Sequence, residues 1–374
     1  MKLKHLARIM IVLIIILMII GSSLVLSASS RYSELRFDNF YKMFFSHLIK
    51  VGVAIVFLLF FSSVPYELYK KWSKYIVLGS AGLLVITLIV APNVKGAGRW
   101  LNLGFFSFQP SEIAKFALLI HVAALIERKG KEILELEKGY LYVFFWIIMM
   151  AGLVFIQPNV STSIIIFVSS FSLLFIGDAR LKHMFSTLAV TGSAAAVFMM
   201  MFSHSRARIL TFFNSVHNGG EINIQVAQAK IALGSGGFIG VGLGQSRQSN
   251  LFLPEAYGDF IFSILGEETG FMGTIGVLVI YILIFFCGIL IAKKAKDVFG
   301  QLLAFGISFT IILCAFINAA VVTGVFPTTG IPLPFISYGG TNIWITCIAA
   351  GIVINIAMTN YKYADKEKSI LQRD

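Results

Sequence analysis

One aspartate stands where a glycine-rich segment meets a long apolar run. The segment 230–271 carries seven glycines between Gly234 and Gly258, and Asp259 follows at once. A carboxylate at a membrane boundary beside a flexible loop can act as a general base toward a substrate on the outer side. Asp259 could equally be the N-cap of the helix that follows, since aspartate accepts hydrogen bonds from the free N–H groups there. The two roles can coexist.

Two further carboxylates, Glu267 and Glu268, lie deeper in the same apolar run. Burying a charge at membrane depth costs on the order of 2.5–3.5 kcal/mol, so neither is expected to face lipid. Their depth separates them from Asp259 by about 12 Å of helix rise. We therefore favour paired or protonated structural acids over a catalytic role.

A second apolar run contains an acid and a base three residues apart. The sequence Gln-Pro-Ser-Glu at 109–112 predicts the start of a helix, with proline in its first turn and Ser111 and Glu112 as capping groups. Glu112 and Lys115 then lie on one face and can pair. Pairing lowers the cost of burying the two charges in the membrane, but it does not explain why a membrane helix carries either of them. Just before them, Arg99 and Trp100 offer a cation and an interfacial ring.

Composition identifies the class of protein that positions these residues. Of the 374 residues, 57% are apolar and 13% charged, and the mean hydropathy is +0.86. These values are typical of a polytopic membrane protein. The formal charge of +12 comes from short basic clusters between apolar runs, which indicates membrane topology and not nucleic-acid binding. The three widely spaced cysteines support neither a disulfide framework nor a metal site.

Counting runs of about 20 apolar residues predicts ten transmembrane helices in one integral membrane domain covering residues 1–374. The segments at one end of these helices hold about twice as many Lys and Arg residues as those at the other, which places both termini in the cytoplasm. The predicted spans are 8–28, 44–64, 75–91, 111–126, 141–157, 160–177, 184–203, 259–292, 301–323 and 338–359.

The connection between the seventh and eighth spans, about residues 203–258, is much the longest and is therefore a candidate functional loop. Under the predicted orientation it lies outside the membrane. Its first half, 214–223, is polar and is expected to be mobile. Its second half alternates small and apolar residues, as a segment that re-enters or lies on the membrane would.

Five motifs occur in order along almost the whole chain. They are GAGRWLNLGFFSFQPSEIAK at 96–115, QPN at 157–159, ALGSGGFIGVGLGQSRQ at 232–248, LPEAYGDFIFSILGEETGF at 253–271 and PTTGIPLPFISYGGTN at 327–342. With these motifs the chain resembles the SEDS proteins (shape, elongation, division and sporulation), the FtsW and RodA family of bacterial peptidoglycan polymerases. The GVGLGQSRQ and PTTG forms are more similar to division-type FtsW than to elongation-type RodA. The chain departs from the family pattern at Asn159, Ser249 and Gly258, where Asp, Lys and Thr are usual.

The resemblance implies an all-α membrane protein that lengthens glycan strands from lipid II at the outer face of the bacterial cytoplasmic membrane. It places the essential aspartate at Asp259. It also implies two kinds of protein partner, a monofunctional class B penicillin-binding transpeptidase and other divisome proteins, and no nucleic acid. A divalent cation, Mg²⁺ or Mn²⁺, could assist at the pyrophosphate, although no ligand set identifies one. The candidate substrate-binding residues are Arg99, Trp100, Glu112, Lys115, Arg206, Arg208, Lys230, Arg247 and Glu255.

Two other classes of function stay open at the level of sequence. A transporter that flips lipid II would use the same cations and buried acids without forming a bond, although its charges are expected near the membrane midplane. A non-catalytic scaffold for a transpeptidase would leave Asp259 dispensable. An elongation-type role within the same family is a further alternative.

Overall fold

A computed structural model describes residues 2–90, 98–102, 107–201, 206–207, 210–214, 223–249 and 252–371. Within these residues the protein is an all-α membrane protein with one short hairpin, in which β1 (Leu101–Asn102) pairs antiparallel with β2 (Ser107–Phe108). The helices are α1 (Leu3–Phe37), α2 (Lys42–Ser63), α3 (Tyr66–Val90), α4 (Pro110–Lys129), α5 (Leu141–Ile156), α6 (Val160–Ile176), α7 (Leu181–Met201), α8 (Ile224–Gly236), α9 (Ile261–Lys293), α10 (Val298–Val322) and α11 (Gly340–Leu371).

Each of the ten predicted spans falls on one of these helices, in order. Eight helical stretches among the described residues are long and apolar enough to cross a membrane, α6 is apolar but shorter, and α4 carries the charges of Glu112 and Lys115. The exact count of ten spans stays a prediction.

Three helices extend well beyond their predicted spans: α1, α3 and α11, which continues to Leu371 although its span was predicted to end at residue 359. The predicted first span is 8–28, but α1 runs from Leu3 to Phe37 because its later turns still have a packed face, with Ser29 and Ser33 fully buried. The third span was expected to begin near residue 75, but α3 begins at Tyr66. Its first turns carry exposed lysines, which a count of apolar residues does not include.

Helix packing divides the protein into a densely packed centre and a lightly packed edge. α2 packs along α11, α9 along α10, and α3 along α4, while α1 lies against α2, α9 and α11. In α7, by contrast, Met184 is the single buried residue. Most of α7 is therefore available to lipid.

The glycine-rich loop folds back onto α9. Its residues hydrogen-bond to the helix backbone, with Val241 N donating to Glu267 O (2.9 Å) and Phe271 N donating to Gly237 O (3.0 Å). α9 is broken at Gly270, whose φ of 66° lies in the left-handed region. A Cβ at Gly270 would overlap the Gly240 backbone, and one at Gly240 would overlap the Glu268 carbonyl group. Glycine is thus required at both positions for the two backbones to approach.

The second half of the long connection is more regular than expected. It contains α8, a helix of 13 residues whose N-cap Asn223 accepts a hydrogen bond from Gln225 N. α8 packs against α9 ahead of the glycine-rich turns. Most of the polar first half, residues 215–222, lies outside the described residues, so its predicted mobility stays an expectation.

Candidate active site

The backbone around Asp259 is held by α10 and by the segment 327–339. Asn318 of α10 is 1% exposed. Its Nδ2 donates to Asp259 O at 2.7 Å and to Ile331 O at 2.8 Å. Ser337 Oγ donates to Gly258 O at 2.8 Å and accepts from Leu333 N at 2.8 Å. The turn carrying Asp259 is therefore fixed from two sides by hydrogen bonds to its carbonyl groups.

The Asp259 residue is half-buried at the start of α9. Phe260 occupies the N-cap position of α9 and makes no side-chain capping hydrogen bond, so Asp259 lies one residue before the position expected for an N-cap. A Cβ added at Gly330 would come within 3.3 Å of Asp259 Oδ2. Glycine at this position leaves the space beside the carboxylate open.

Glu267 anchors the glycine-rich loop. It is 1% exposed, as its predicted avoidance of lipid requires. Its carboxylate accepts from Arg247 N at 3.0 Å, from Gln248 N at 3.3 Å and from the hydroxyl of Ser246. Ser235 Oγ of α8 donates to the same carboxylate at 3.3 Å. Glu267 thus has a structural role, as favoured from the sequence, and its partners are hydrogen-bond donors of the loop.

Glu268 connects the same region to α1. It is 2% exposed, and the hydroxyl of Ser27 donates to its carboxylate. Backbone N–H groups of Gly244 and Ser246 also hydrogen-bond to it. The two adjacent acids therefore fix the loop to both α1 and α9.

The predicted ion pair is present in α4. Lys115 Nζ lies 2.9 Å from Glu112 Oε2, and the two side chains are 3% and 6% exposed. Asn342 Nδ2 of α11 donates to the same carboxylate oxygen at 2.9 Å. Asn342 follows directly on the segment that holds Asp259, so the residues 327–342 connect the aspartate to the ion pair.

The start of α4 is not capped as predicted. Gln109 occupies the N-cap position and makes no side-chain capping hydrogen bond, while Pro110 is in the first turn as expected. Ser111 accepts a hydrogen bond from Asn159 Nδ2 at 3.3 Å instead, and Glu112 is engaged by its partners on α4 and α11. Both side chains are drawn into tertiary contacts, which outweigh local capping.

Arg99 lies beside this contact. Its guanidinium donates to Pro158 O in the turn between α5 and α6, one residue before Asn159. Trp100 is 45% exposed. The Arg-Trp and QPN motifs therefore meet at the start of α4, close to Ser111.

Sequence reasoning missed a polar and aromatic cluster around Tyr338. Lys50 Nζ lies 3.9 Å from the centre of the Tyr338 ring, and the rings of His47 and Tyr257 lie 5.8 Å and 5.7 Å from it. Burial raises the pKa of the Tyr257 hydroxyl, and the nearby Glu255 carboxylate raises it further, so this phenol stays neutral. A lone lysine inside an apolar span was the available signal for this cluster.

The remaining predicted substrate-binding residues lie at the surface or outside the described part of the chain. Arg206, Lys230, Arg247 and Glu255 are exposed, and Arg208 lies outside the described residues. The Lys230 side chain contacts Gly324, just after α10. No group of three or more His, Cys, Asp or Glu side chains in the described part of the chain could hold a metal ion.

An apolar cavity of about 470 Å³ begins one turn beyond Asp259. It lies between α8, α9 and α10, and its lining includes Phe262, Leu278 and Phe316. Such a lining favours an apolar occupant.

Comparison with known proteins identifies the family of this chain. The family model for FtsW, RodA and SpoVE, described as a cell cycle protein, matches residues 7–362. The chain belongs to this family. A probable peptidoglycan glycosyltransferase FtsW from Trichlorobacter lovleyi is 34% identical over 93% of this chain and 92% of its own length. The stage V sporulation protein E of Bacillus subtilis is 32% identical over 93% of this chain and 96% of its own.

Solved structures share the fold. A chain of a peptidoglycan synthase complex, described as coordinating polymerization and crosslinking, matches with a TM-score of 0.78 at 22% identity, covering 94% of this chain and 98% of that one. RodA from Thermus thermophilus, a rod shape determining protein, matches with a TM-score of 0.70 at 21% identity, covering 94% and 96%. The predicted helical membrane fold of the FtsW and RodA family is thus confirmed.

Proposed function

We propose that this family member polymerises lipid II into glycan strands at the outer face of the cytoplasmic membrane. The predicted enzyme class, a peptidoglycan glycosyltransferase, is confirmed by the names of its relatives. Those relatives are mostly named FtsW, which favours a role in division over one in elongation.

The reaction joins two lipid-linked sugars. The 4-hydroxyl of the acceptor attacks the anomeric carbon of the donor, the new glycosidic bond forms, and the bond to the polyprenyl diphosphate breaks. Asp259 takes up the proton of the attacking hydroxyl as general base. The departing diphosphate needs nearby positive charge. Candidates for it are Arg99, Lys115, Arg206, Arg208, Lys230 and Arg247.

The observation that carries this proposal is the placement of Asp259. Its backbone is held by a hydrogen bond from Asn318, and the residue is half-buried with its carboxylate beside Gly330. A general base must hold one position relative to its substrate and still be reached by it.

A transporter is the second candidate function, because the buried Glu112 and Lys115 pair could contact a passing diphosphate. The two functions differ in whether a bond is formed. Purified protein that converts lipid II into strands in detergent, where no membrane separates two sides, would support the polymerase.

The decisive experiment is glycan synthesis by Asp259→Asn. Asparagine keeps the shape of the side chain but cannot accept the proton, so we expect a loss on the order of 10² or more in strand formation at equal protein level. Asp38→Asn is the matched control, since Asp38 is an exposed acid at the C-terminus of α1. Near-normal strand formation by Asp259→Asn would refute the assignment of the base.

A further inference from the structure

A second cavity lies between α3 and α4, at the end of the molecule opposite Asp259. Glu127 in its lining accepts a hydrogen bond from Phe299 N (3.4 Å) at the start of α10. Asp259 instead contacts Asn318 near the end of α10, so the two sites lie at opposite ends of that helix. The cavity has a volume of about 440 Å³, within the range of roughly 300–1,000 Å³ typical of ligand sites. It is lined by Lys70, Ser73, Ala124, Leu125, Glu127 and Arg128.

The charges around this cavity leave an excess of positive charge. Lys70 forms an ion pair with Glu127, and Glu127 also accepts the hydrogen bond from Phe299 N. Arg128 makes no ion pair with any described residue. Because the one acid in the lining is already engaged, an incoming anion would meet a cation without a competing carboxylate.

A buried histidine without hydrogen-bond partners in the described part of the chain lies next to the cavity on α4, outside its lining, and its ring packs edge-on against Trp146 with ring centres 4.6 Å apart. His121 is 3% exposed and precedes Ala124, Leu125 and Arg128 by three, four and seven residues, so it lies on the same face of α4, one turn deeper. Neither of its ring nitrogens has a hydrogen-bond partner among the described residues. Buried polar groups of this kind are normally satisfied by protein, water or ligand. The charged groups that face His121 are Arg128 and Lys74, both cations.

Aromatic side chains mark the depth of the cavity in the membrane. Trp72 and Tyr75 of α3 are 52% and 65% exposed, with ring centres 5.5 Å apart. Lys129 lies 5.4 Å from the centre of the Tyr142 ring. Exposed Trp and Tyr rings with nearby lysines are typical of the headgroup region of a bilayer.

We propose that this cavity binds the phosphate of an anionic glycerophospholipid from the adjacent leaflet. Arg128 would pair with a phosphate oxygen, and the Ser73 hydroxyl would donate a further hydrogen bond. A lipid is favoured over a free anion because α3 presents its exposed apolar and aromatic side chains beside the opening. Under the predicted orientation this is the inner leaflet, which makes the site separate from the proposed polymerase site.

The test measures binding of a fluorescent phosphatidylglycerol to the purified full chain in neutral detergent. We expect saturable binding that Arg128→Gln weakens about fivefold or more, the effect of one basic residue at a membrane surface. Lys138→Gln is the matched control, because Lys138 is exposed at the same end and pairs with Glu135, and we expect its affinity to match wild type.

Three results would overturn the proposal. Equal weakening of binding by Arg128→Gln and Lys138→Gln would show a diffuse effect of surface charge. Equal binding of phosphatidylcholine, which has a phosphate but no net charge, would show that the site does not select anionic lipids. Displacement of the lipid by millimolar inorganic phosphate, with the same sensitivity to Arg128→Gln, would assign the site to free anions. All readouts are independent of glycan synthesis, so they do not depend on the proposed reaction.

Discussion

At the scale of single residues, a neutral amide holds the backbone of the candidate site. Asn318 ties the carbonyl of Asp259 to the carbonyl of Ile331 through one Nδ2. The bond to Ile331 is buried and the bond to Asp259 is part-buried, so removal of the amide would take a donor from both carbonyl oxygens in a largely dry environment. The position of Asp259, the proposed general base, therefore depends on a residue that carries no charge.

The ion pair of α4 gives a prediction at this scale. Glu112→Leu or Lys115→Met alone strands a buried charge and is expected to lower the free energy of unfolding by about 3–5 kcal/mol. The double variant is expected to be more stable than either single variant, since neither charge is left. Thermal unfolding of all four proteins in one detergent measures the coupling.

Glu135 and Lys138 provide the control pair, with the same spacing and the same distance of 2.9 Å but with 52% and 70% of the side chains exposed. Their coupling should be about 0.3–0.5 kcal/mol. If the two pairs couple equally, burial does not govern the strength of the α4 pair.

Charged residues in apolar spans were the part of the site that sequence could predict. Asp259, Glu112 and Lys115 stand out because a charge at membrane depth is costly. Asn318 and Ser337 gave no such signal, because small neutral polar residues are common in membrane helices. Their role became evident only from the carbonyl groups that they contact.

At the scale of elements, the break in α9 is what lets the glycine-rich loop pack against the helix backbone. Gly270 opens the helix, and backbone groups of the loop hydrogen-bond to the helix beside the break. Glu267 and Glu268 then fix the loop from the last turn before the break. Loop and helix therefore form one unit.

Replacement of a glycine in this unit gives a second prediction. Gly240→Ala places a methyl group against the Glu268 carbonyl in a left-handed conformation (φ 84°) and is expected to cost about 1–3 kcal/mol. Gly276 lies within α9, and no atom lies within 4 Å of a Cβ added there. Gly276→Ala should therefore leave the free energy of unfolding unchanged or raise it by about 0.5–1 kcal/mol. Melting temperatures of the two variants make the comparison, and equal shifts would contradict the close approach of loop and helix.

Element boundaries were predicted less well than element identity. Hydropathy located the apolar core of α1 and α3 but not their ends, because those turns pack through serines or carry exposed lysines. α8 was not predicted as a helix, since its alternation of small and apolar residues has no clear helical face. Its N-cap Asn223 was the available signal.

At the scale of the whole molecule, the proposal of an extracellular active site depends on the orientation of the protein in the membrane. A cysteine replacing Asn218, in the long loop, should react with an impermeant thiol reagent in intact cells. A cysteine replacing Lys294, exposed at the end of α9, should not react until the membrane is opened. The reverse pattern would place both the loop and Asp259 inside.

A partner is the remaining prediction at this scale. A solved complex that shares this fold coordinates polymerization and crosslinking. We expect a monofunctional class B penicillin-binding transpeptidase to co-purify with this chain in mild detergent and to change its rate of strand synthesis. An isolated chain whose rate does not respond to added transpeptidase would contradict this expectation.

The packing of α2 along α11 has a consequence for biosynthesis. Trp344 Nε1 donates to Lys50 O, and Asn355 Nδ2 donates to Ser62 O. Two backbone carbonyl groups of α2 thus receive hydrogen bonds from α11, which is synthesised much later. About 280 residues separate the two helices, which a ribosome adding about 5–20 residues per second translates in roughly 15–55 s. For that interval α2 lies in the bilayer without α11, its main packing partner. The ammonium group of Lys50 also lacks its contact with the Tyr338 ring. During synthesis, α2 therefore gains its main helix contact only after α11 has been made.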